Sequence, residues 1–414
     1  MHKQRYIGFT SLLNKIFSIE TFVCLYFLVI LVFGKSFTKF NIVGTVYLHD
    51  FFLFVLVFLA INNRRYVTYR FSSILFIVLI ATIYLFYSFL FFEHGTAQLL
   101  IVLRHFYLFI YLAISLLLFN LLIKNKHDLF KAVSLIKWIS LASVFLQFLF
   151  IVIGYFFIPN FSLFGFQEYN YFSPLVIFGI IGYGAYILAY EVNIIKKYLN
   201  FIFIIFLSTT LGHSSAFLAV FIILITHFFV KIKPIQRFVA LGIIFLAIGS
   251  LFFLPQFNDA NAGWRVLYWK HVLGRLINEK YFLFGFGFGQ PYMTSDYAYY
   301  LNDVLNSPIM LDEQYPLARY LSPPHNSFLT IAFHIGLLPM LLLLIPLKKY
   351  ITQLFSKPIS NDRNLNYLTY NLIGSIVWVF FNVILELPHS AVYFWLVYFT
   401  TALYYKYNYQ NQKK

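Results

Sequence analysis

Residues 199–230 read LNFIFIIFLSTTLGHSSAFLAVFIILITHFFV. As one helix these 32 residues would extend about 48 Å at 1.5 Å each, against a hydrocarbon core of about 30 Å. Two helices fit better, joined at the polar break Ser208-Thr209-Thr210-Leu211-Gly212-His213-Ser214-Ser215. The choice matters because one span more or less moves every later segment to the other side of a membrane.

Working outward, further apolar runs fall at about 19–34, 42–61, 72–92, 97–122, 132–157, 174–192, 238–254, 324–346, 366–385 and 390–405. The run at 19–34 follows a short basic segment but precedes no A-x-A-like cleavage site, so it reads as an uncleaved first span. With the N-terminus in the cytoplasm, 22 of the 30 Lys and Arg fall on one side, among them Arg64, Arg65, Arg70, Lys124, Lys126, Lys196, Lys197, Lys231, Lys233, Lys348 and Lys349. Short basic loops on one side are the positive-inside pattern. Reading 199–230 as a single span would break that pattern. The alternation predicts about twelve transmembrane helices with both termini cytoplasmic.

Composition agrees. Of 414 residues 61% are hydrophobic and 11% charged, where soluble domains carry about 45–50% and about 25%. A soluble fold could not hide that much apolar surface, and disorder is excluded by the same figures. The expected class is all-α, a polytopic integral membrane protein forming a single transmembrane domain over 1–414. The net charge of +16 is then a topology determinant, and no nucleic-acid partner is expected. The one cysteine, Cys24, permits neither an intrachain disulfide nor a Cys-based metal site.

One connection is long. Residues 255–323 form a loop placed outside by the parity above, holding six of the fourteen acids. Long loops in compact proteins are usually functional or disordered, and this one is too aromatic for disorder. Residues 263–280 predict an amphipathic helix with Val266, Trp269, Leu273, Leu276 and Ile277 on one stripe, suited to lying on the membrane surface. The run Gly285-Phe286-Gly287-Phe288-Gly289 follows. It reads either as a turn that lets backbones approach closely or as amides that cradle a phosphate. A dinucleotide fingerprint would need a βαβ unit.

Four basic side chains converge on the outer face by this topology: Arg104, His213, Arg265 and His325. Each has a plain reading. Arg104 could snorkel, Arg265 could pair with phospholipid, His213 could be a turn residue, and His325, after Pro323-Pro324, a structural hydrogen-bonder. Their co-location argues instead for an anion-handling cavity. No Asp-x-Asp pair, H-E-x-x-H or Walker loop occurs, so neither a metal nor another cofactor is expected.

The order of motifs resembles the O-antigen ligase/polymerase family of bacterial envelope glycosyltransferases. The matching parts are Trp264-Arg265 with Trp269, Phe284 through Gly289, His325-Asn326-Ser327-Phe328-Leu329, and Gly336-Leu337-Leu338-Pro339-Met340. The similar segment is about 200–345. Two positions depart from the pattern. Relatives often carry Ser-Arg where this chain has Gly212-His213-Ser214-Ser215, and Pro339 stands in place of a glycine.

The resemblance implies a GT-C-like, metal-independent, inverting glycosyltransferase in the bacterial cytoplasmic membrane. It would transfer or polymerise an undecaprenyl-diphosphate-linked oligosaccharide on the outer face, building O-antigen, capsule or exopolysaccharide. Implied partners are that donor, a glycan or lipid A-core acceptor, membrane lipids and polysaccharide assembly proteins. Polymerase and O-antigen ligase remain alternatives. A lipid-linked glycan flippase would require midplane charges and a repeat between halves, and neither is evident. In this reading His325, with a pKa near neutrality, takes the acceptor proton. Arg265, Arg104 and His213 hold the diphosphate, with Asn326, Arg319, Trp264 and Gly287 in support.

Overall fold

A computed structural model describes residues 19–33, 39–40, 46–47, 54–58, 60–61, 71–91, 96–153, 174–211, 213–233, 236–237, 260–303, 318–356 and 362–410. Its elements are helices, apart from one two-residue antiparallel pair, β1 (Lys39–Phe40) with β2 (Val46–Tyr47). In chain order the helices are α1 (Ile19–Phe33), α2 (Ser72–Phe91), α3 (Thr96–Leu122), α4 (Lys126–Val152), α5 (Pro174–Tyr190), α6 (Ile194–Thr209) and α7 (Ser214–Phe229). After the loop region come α8 (Ala260–Asn278), α9 (Ser295–Asp303), α10 (Ala318–Leu321), α11 (Ser327–Ile335), α12 (Leu337–Leu341), α13 (Lys348–Ser356), α14 (Arg363–Phe380) and α15 (Pro388–Gln410).

The 199–230 stretch is two helices, α6 and α7. Asn193 caps α6 by accepting from the Lys196 amide at 3.1 Å. The three hydroxyls Ser208, Thr209 and Thr210 each donate to the carbonyl three residues back, at 2.7 Å. This local satisfaction lets the helix stop without leaving carbonyls orphaned.

Three helices among the described residues are long and apolar enough to cross a membrane: Ser72–Leu90, Leu99–Leu122 and Lys126–Val152. Shorter apolar helices lie at Ile19–Leu31, Leu175–Tyr190 and Ser214–Phe229. The exposed surface has the matching chemistry. On α2 Phe76, Leu79, Ile83, Phe86 and Leu90 form a solvent-accessible stripe at helical spacing, a pattern that belongs against lipid. The protein is a helical membrane protein. Most of the apolar runs 42–61 and 238–254 lies outside the described residues.

The bundle centres on α5, packed against α4, α6, α7 and α14. Small residues bring α4 and α5 together: a Cβ on Gly179 would sit 2.1 Å from Ser143 Oγ, and one on Gly182 would sit 2.2 Å from Ser140 Oγ. Close backbone approach of this kind is how helices associate in lipid, where tails give no hydrophobic drive. Tyr393 on α15 hydrogen-bonds with Ser140 at 3.3 Å and accepts from Asn371 Nδ2 at 3.3 Å, tying three helices.

Two expectations need correction. The run 324–346 is not one continuous helix. It breaks at Gly336 (φ 86°), leaving α11 at nine residues, about 14 Å and well short of the core thickness. The apolar stripe expected on α8 also divides. Trp264, Tyr268, Val272 and Leu276, four apart, form a buried ridge. It shares a small core with Tyr292, Met293, Leu329 and Phe333. Val266, Leu273 and Ile277 form a separate exposed stripe. The amphipathic pattern was sound, but the helix buries one face in protein rather than lying free on a surface.

Candidate functional site

The α8 ridge fixes the Pro-Pro-His turn. Tyr268 Oη donates to the Ser322 carbonyl at 2.6 Å, and Trp269 Nε1 donates to the Pro324 carbonyl. Between these anchors His325 is held at φ 50°, in the left-handed region. A non-glycine residue there costs on the order of 1–3 kcal/mol and persists only when its surroundings enforce it. Trp264 meets the His325 ring edge-on, centroids 5.1 Å apart.

Arg265 is adjacent. Its guanidinium donates to the Phe381 carbonyl at 3.5 Å and lies 5.7 Å from the Trp264 ring. None of the ion pairs among the described residues involves it, and its buried Nε has no hydrogen-bond partner there. Burial pulls its proton affinity down. His325 is pushed down to about 4, first by burial and then by the Arg265 charge. The near-neutral pKa expected from the sequence is therefore corrected: the imidazole stands neutral, but it is a weaker base than a solvated histidine.

A second set of residues joins this pair from the next loop. Ser327, first residue of α11, accepts from the amides of Ile384 at 2.9 Å and Leu385 at 3.1 Å. Its hydroxyl donates to Glu386 Oε2 at 2.6 Å. Asn382 Nδ2 donates to Ser215 Oγ at 3.0 Å, which brings in the start of α7. Glu386 is half-buried, and its buried Oε1 has no partner among the described residues. Desolvation raises its pKa, with Ser327 and the positive charge of Arg104 among the opposing influences. Sequence reasoning passed over Glu386. The available signal was a lone acid in the short turn between two apolar runs, where an uncompensated carboxylate is costly.

The glycine run has a structural purpose. Every amide from 285 to 289 donates within the protein: Gly285 to the Tyr281 carbonyl at 2.7 Å, Phe286 to Phe333 at 2.7 Å, Gly287 to His334 at 2.9 Å, Phe288 to Ser88 Oγ at 3.2 Å and Gly289 to His105 Nδ1 at 3.2 Å. These amides are committed and cannot cradle a phosphate, and Gly287 supports packing instead. Gly336 would place a Cβ 2.1 Å from the Leu283 carbonyl oxygen, and Gly285 one 2.6 Å from that of His334. The two glycines let the loop and the α11 terminus touch backbone to backbone.

Two buried histidines lock this joint. Gly289 N–H can only donate, so His105 Nδ1 accepts and its Nε2 proton goes to the Tyr320 carbonyl at 2.7 Å. The Gly287 carbonyl can only accept, so His334 carries its proton on Nδ1 (2.9 Å) and accepts from Tyr292 Oη on Nε2 (2.9 Å). Each ring nitrogen has a protein partner.

Among the residues singled out from sequence, His325, Arg265 and Trp264 come together directly. Arg104, on α3, is near enough for its charge to influence Glu386. His213 starts α7 and packs edge-on to Trp378, centroids 5.5 Å apart. It is joined to the same mouth through Ser215 and Asn382. Asn326 caps α11 by accepting from the Leu329 amide at 3.0 Å, which positions its neighbours. Arg319 donates to Ser295 Oγ at 2.7 Å and serves the loop rather than the His325 cluster. Among the described residues no three His, Cys, Asp or Glu side chains group as a metal site would. No family model matches the chain, and no curated protein matches its sequence.

Proposed function

We propose that the protein is a metal-independent inverting glycosyltransferase of the bacterial cytoplasmic membrane, with a GT-C-like fold of about twelve spans. Both termini face the cytoplasm and the His325 mouth opens outside. The donor is an undecaprenyl-diphosphate-linked oligosaccharide, and the favoured reaction is polymerisation of such units. The single observation that carries the reading is a half-buried arginine with no carboxylate partner among the described residues, Arg265, set against a half-buried neutral histidine, His325.

That pairing suits transfer from a diphosphate ester. Outside the cytoplasm no nucleotide sugar is available, so the donor must bring its own leaving group. A guanidinium can meet phosphate oxygens with two parallel charge-assisted hydrogen bonds. With Arg265 so occupied, its electrostatic pressure on His325 falls and the imidazole becomes a better base. The acceptor hydroxyl gives its proton to His325 as its oxygen bonds to the anomeric carbon. The bond from that carbon to the diphosphate oxygen breaks on the opposite face, and the departing charge stays with Arg265 and Arg104. General-base assistance of this kind is worth roughly 10²–10⁴ in rate. The three orphan polar atoms at the mouth, Arg265 Nε, Trp264 Nε1 and Glu386 Oε1, support a polar ligand there, since buried unpaired groups are rare.

Surface polysaccharide from cells carrying His325→Ala tests the reading. A ladder collapsed to single repeats indicates polymerase, and long chains retained on the lipid carrier indicate ligase. An unchanged profile from an inserted variant excludes the role of His325. Arg265→Lys keeps the charge but loses the fork, and activity is expected to fall about tenfold or more.

A further inference from the structure

A third face of α8, between the buried ridge and the exposed apolar stripe, carries a cleft that the His325 mouth does not use. Its volume is about 420 Å³, within the range of small-molecule sites. One wall is a locked ion pair: Arg275 holds Glu279 through both carboxylate oxygens, at 2.8 and 3.4 Å, and is itself anchored on the Pro291 carbonyl at 2.6 Å. Another wall is a flat aromatic pair, His271 stacked on Tyr297 with centroids 3.7 Å apart and planes 5° from parallel. The His271 ring is neutral at physiological pH, being pushed down to about 4 by burial and Arg275. Leu267, Lys270 and Asn278 complete the lining, and neither Lys270 nor Asn278 has a hydrogen-bond partner among the described residues.

Gly274 adds a separate observation. It sits mid-helix, where glycine costs about 1 kcal/mol relative to alanine. A Cβ there would meet nothing within 4 Å. Packing does not require this glycine, and its bare backbone forms an open part of the cleft floor.

The chemistry selects among ligands. A phosphate would want several uncommitted cations, but Arg275 is already neutralised by Glu279. A lipid tail could lie along Leu267 but would leave the Lys270 amine and the Asn278 amide without partners. A pyranose ring needs both donors and acceptors for its hydroxyls and a flat surface for its C–H face. We infer that this cleft is a saccharide-binding subsite that holds the glycan chain away from the reacting sugar. Along the helix, Lys270 to Asn278 lie about 9–21 Å from Trp264, so the subsite takes a chain already several residues long. Its identification as the enzyme's own glycan rests on the transferase reading, while the binding itself does not.

The test uses full-length protein in detergent and oligosaccharides released by mild acid from the producing cell's own surface polysaccharide, with affinity measured by saturation-transfer NMR. Wild type and His325→Ala are expected to bind equally. Gly274→Trp, which fills the floor, should weaken binding at least tenfold, and Gly274→Ala should bind within about twofold of wild type. Should Gly274→Trp fail to insert, the double variant Lys270→Ala/Asn278→Ala carries the same tenfold expectation. Wild type that does not bind, or cleft variants that bind like wild type, overturn the subsite. Saccharide binding lost in the cleft variants, alongside unchanged polysaccharide in His325→Ala cells, would retain the subsite and remove the transferase.

Discussion

At His325 the backbone and the side chain are constrained for different reasons. Two prolines, Tyr268 and Trp269 hold the residue in a left-handed turn, while Trp264 and Arg265 set the ring's environment. On the proposed mechanism neutral imidazole is the working form, so activity should rise with pH as the proton is lost and should show no acid limb between pH 5 and 7 attributable to this residue. Activity falling through pH 6.5 with one-proton dependence, measured in wild type and absent from a pH-insensitive variant, would contradict the buried setting. The linkage has a matching sign. The folded state binds fewer protons than the unfolded one between about pH 4 and 6.5, so stability declines as pH falls across that window. Glu386→Gln keeps a partner for Ser327 and removes the charge. Removing the carboxylate from beside the proposed reaction centre is expected to lower turnover about tenfold or more. Membrane yield should stay unchanged, as read by quantitative immunoblot beside the activity assay.

At the scale of elements, the joint between residues 281–289 and α11 is the part most sensitive to a single methyl. Gly336→Ala brings a Cβ onto the Leu283 carbonyl and forces an L-residue to φ 86°. A loss of roughly 3 kcal/mol or more is expected, visible as a lowered melting temperature in detergent. Gly274→Ala, on α8, should instead stabilise slightly. The 199–230 break was legible because helix length and membrane thickness are both fixed quantities. The split of 324–346 was not. Its apolar run is continuous, and the reason for breaking it lies in residues 281–284, some fifty positions earlier. The role of the glycine run was open for a similar cause: whether an amide is free depends on what the fold places opposite it, and Phe333, His334, Ser88 and His105 come from three different helices.

For the molecule as a whole, the proposed topology puts most basic residues on the cytoplasmic side, and the sole cysteine offers a means of checking it. In a Cys24→Ser background, Ser214→Cys should react with a membrane-impermeant maleimide applied from outside, and Lys233→Cys should not. Reversed labelling would invert the topology and put His325 on the wrong side for a lipid-linked donor. Composition and charge alternation were enough to identify a helical membrane protein and to single out His325 and Arg265. They were not enough to find Glu386, whose significance comes from Ser327 and Arg104, residues 59 and 282 positions away.

That long reach along the chain has a consequence for biosynthesis. The residues around His325 come from α3, the start of α7, α8, the start of α11 and the turn at 381–387, so the last of them is made long after the first. At about 5–20 residues per second, Glu386 follows Arg265 by several seconds to half a minute. Until then Ser327 has no loop to receive it and Arg265 has no carbonyl from Phe381. A nascent chain thus carries the histidine and the arginine before the cluster around them is assembled, and on the proposed function it stays inactive until residues 381–387 are in place.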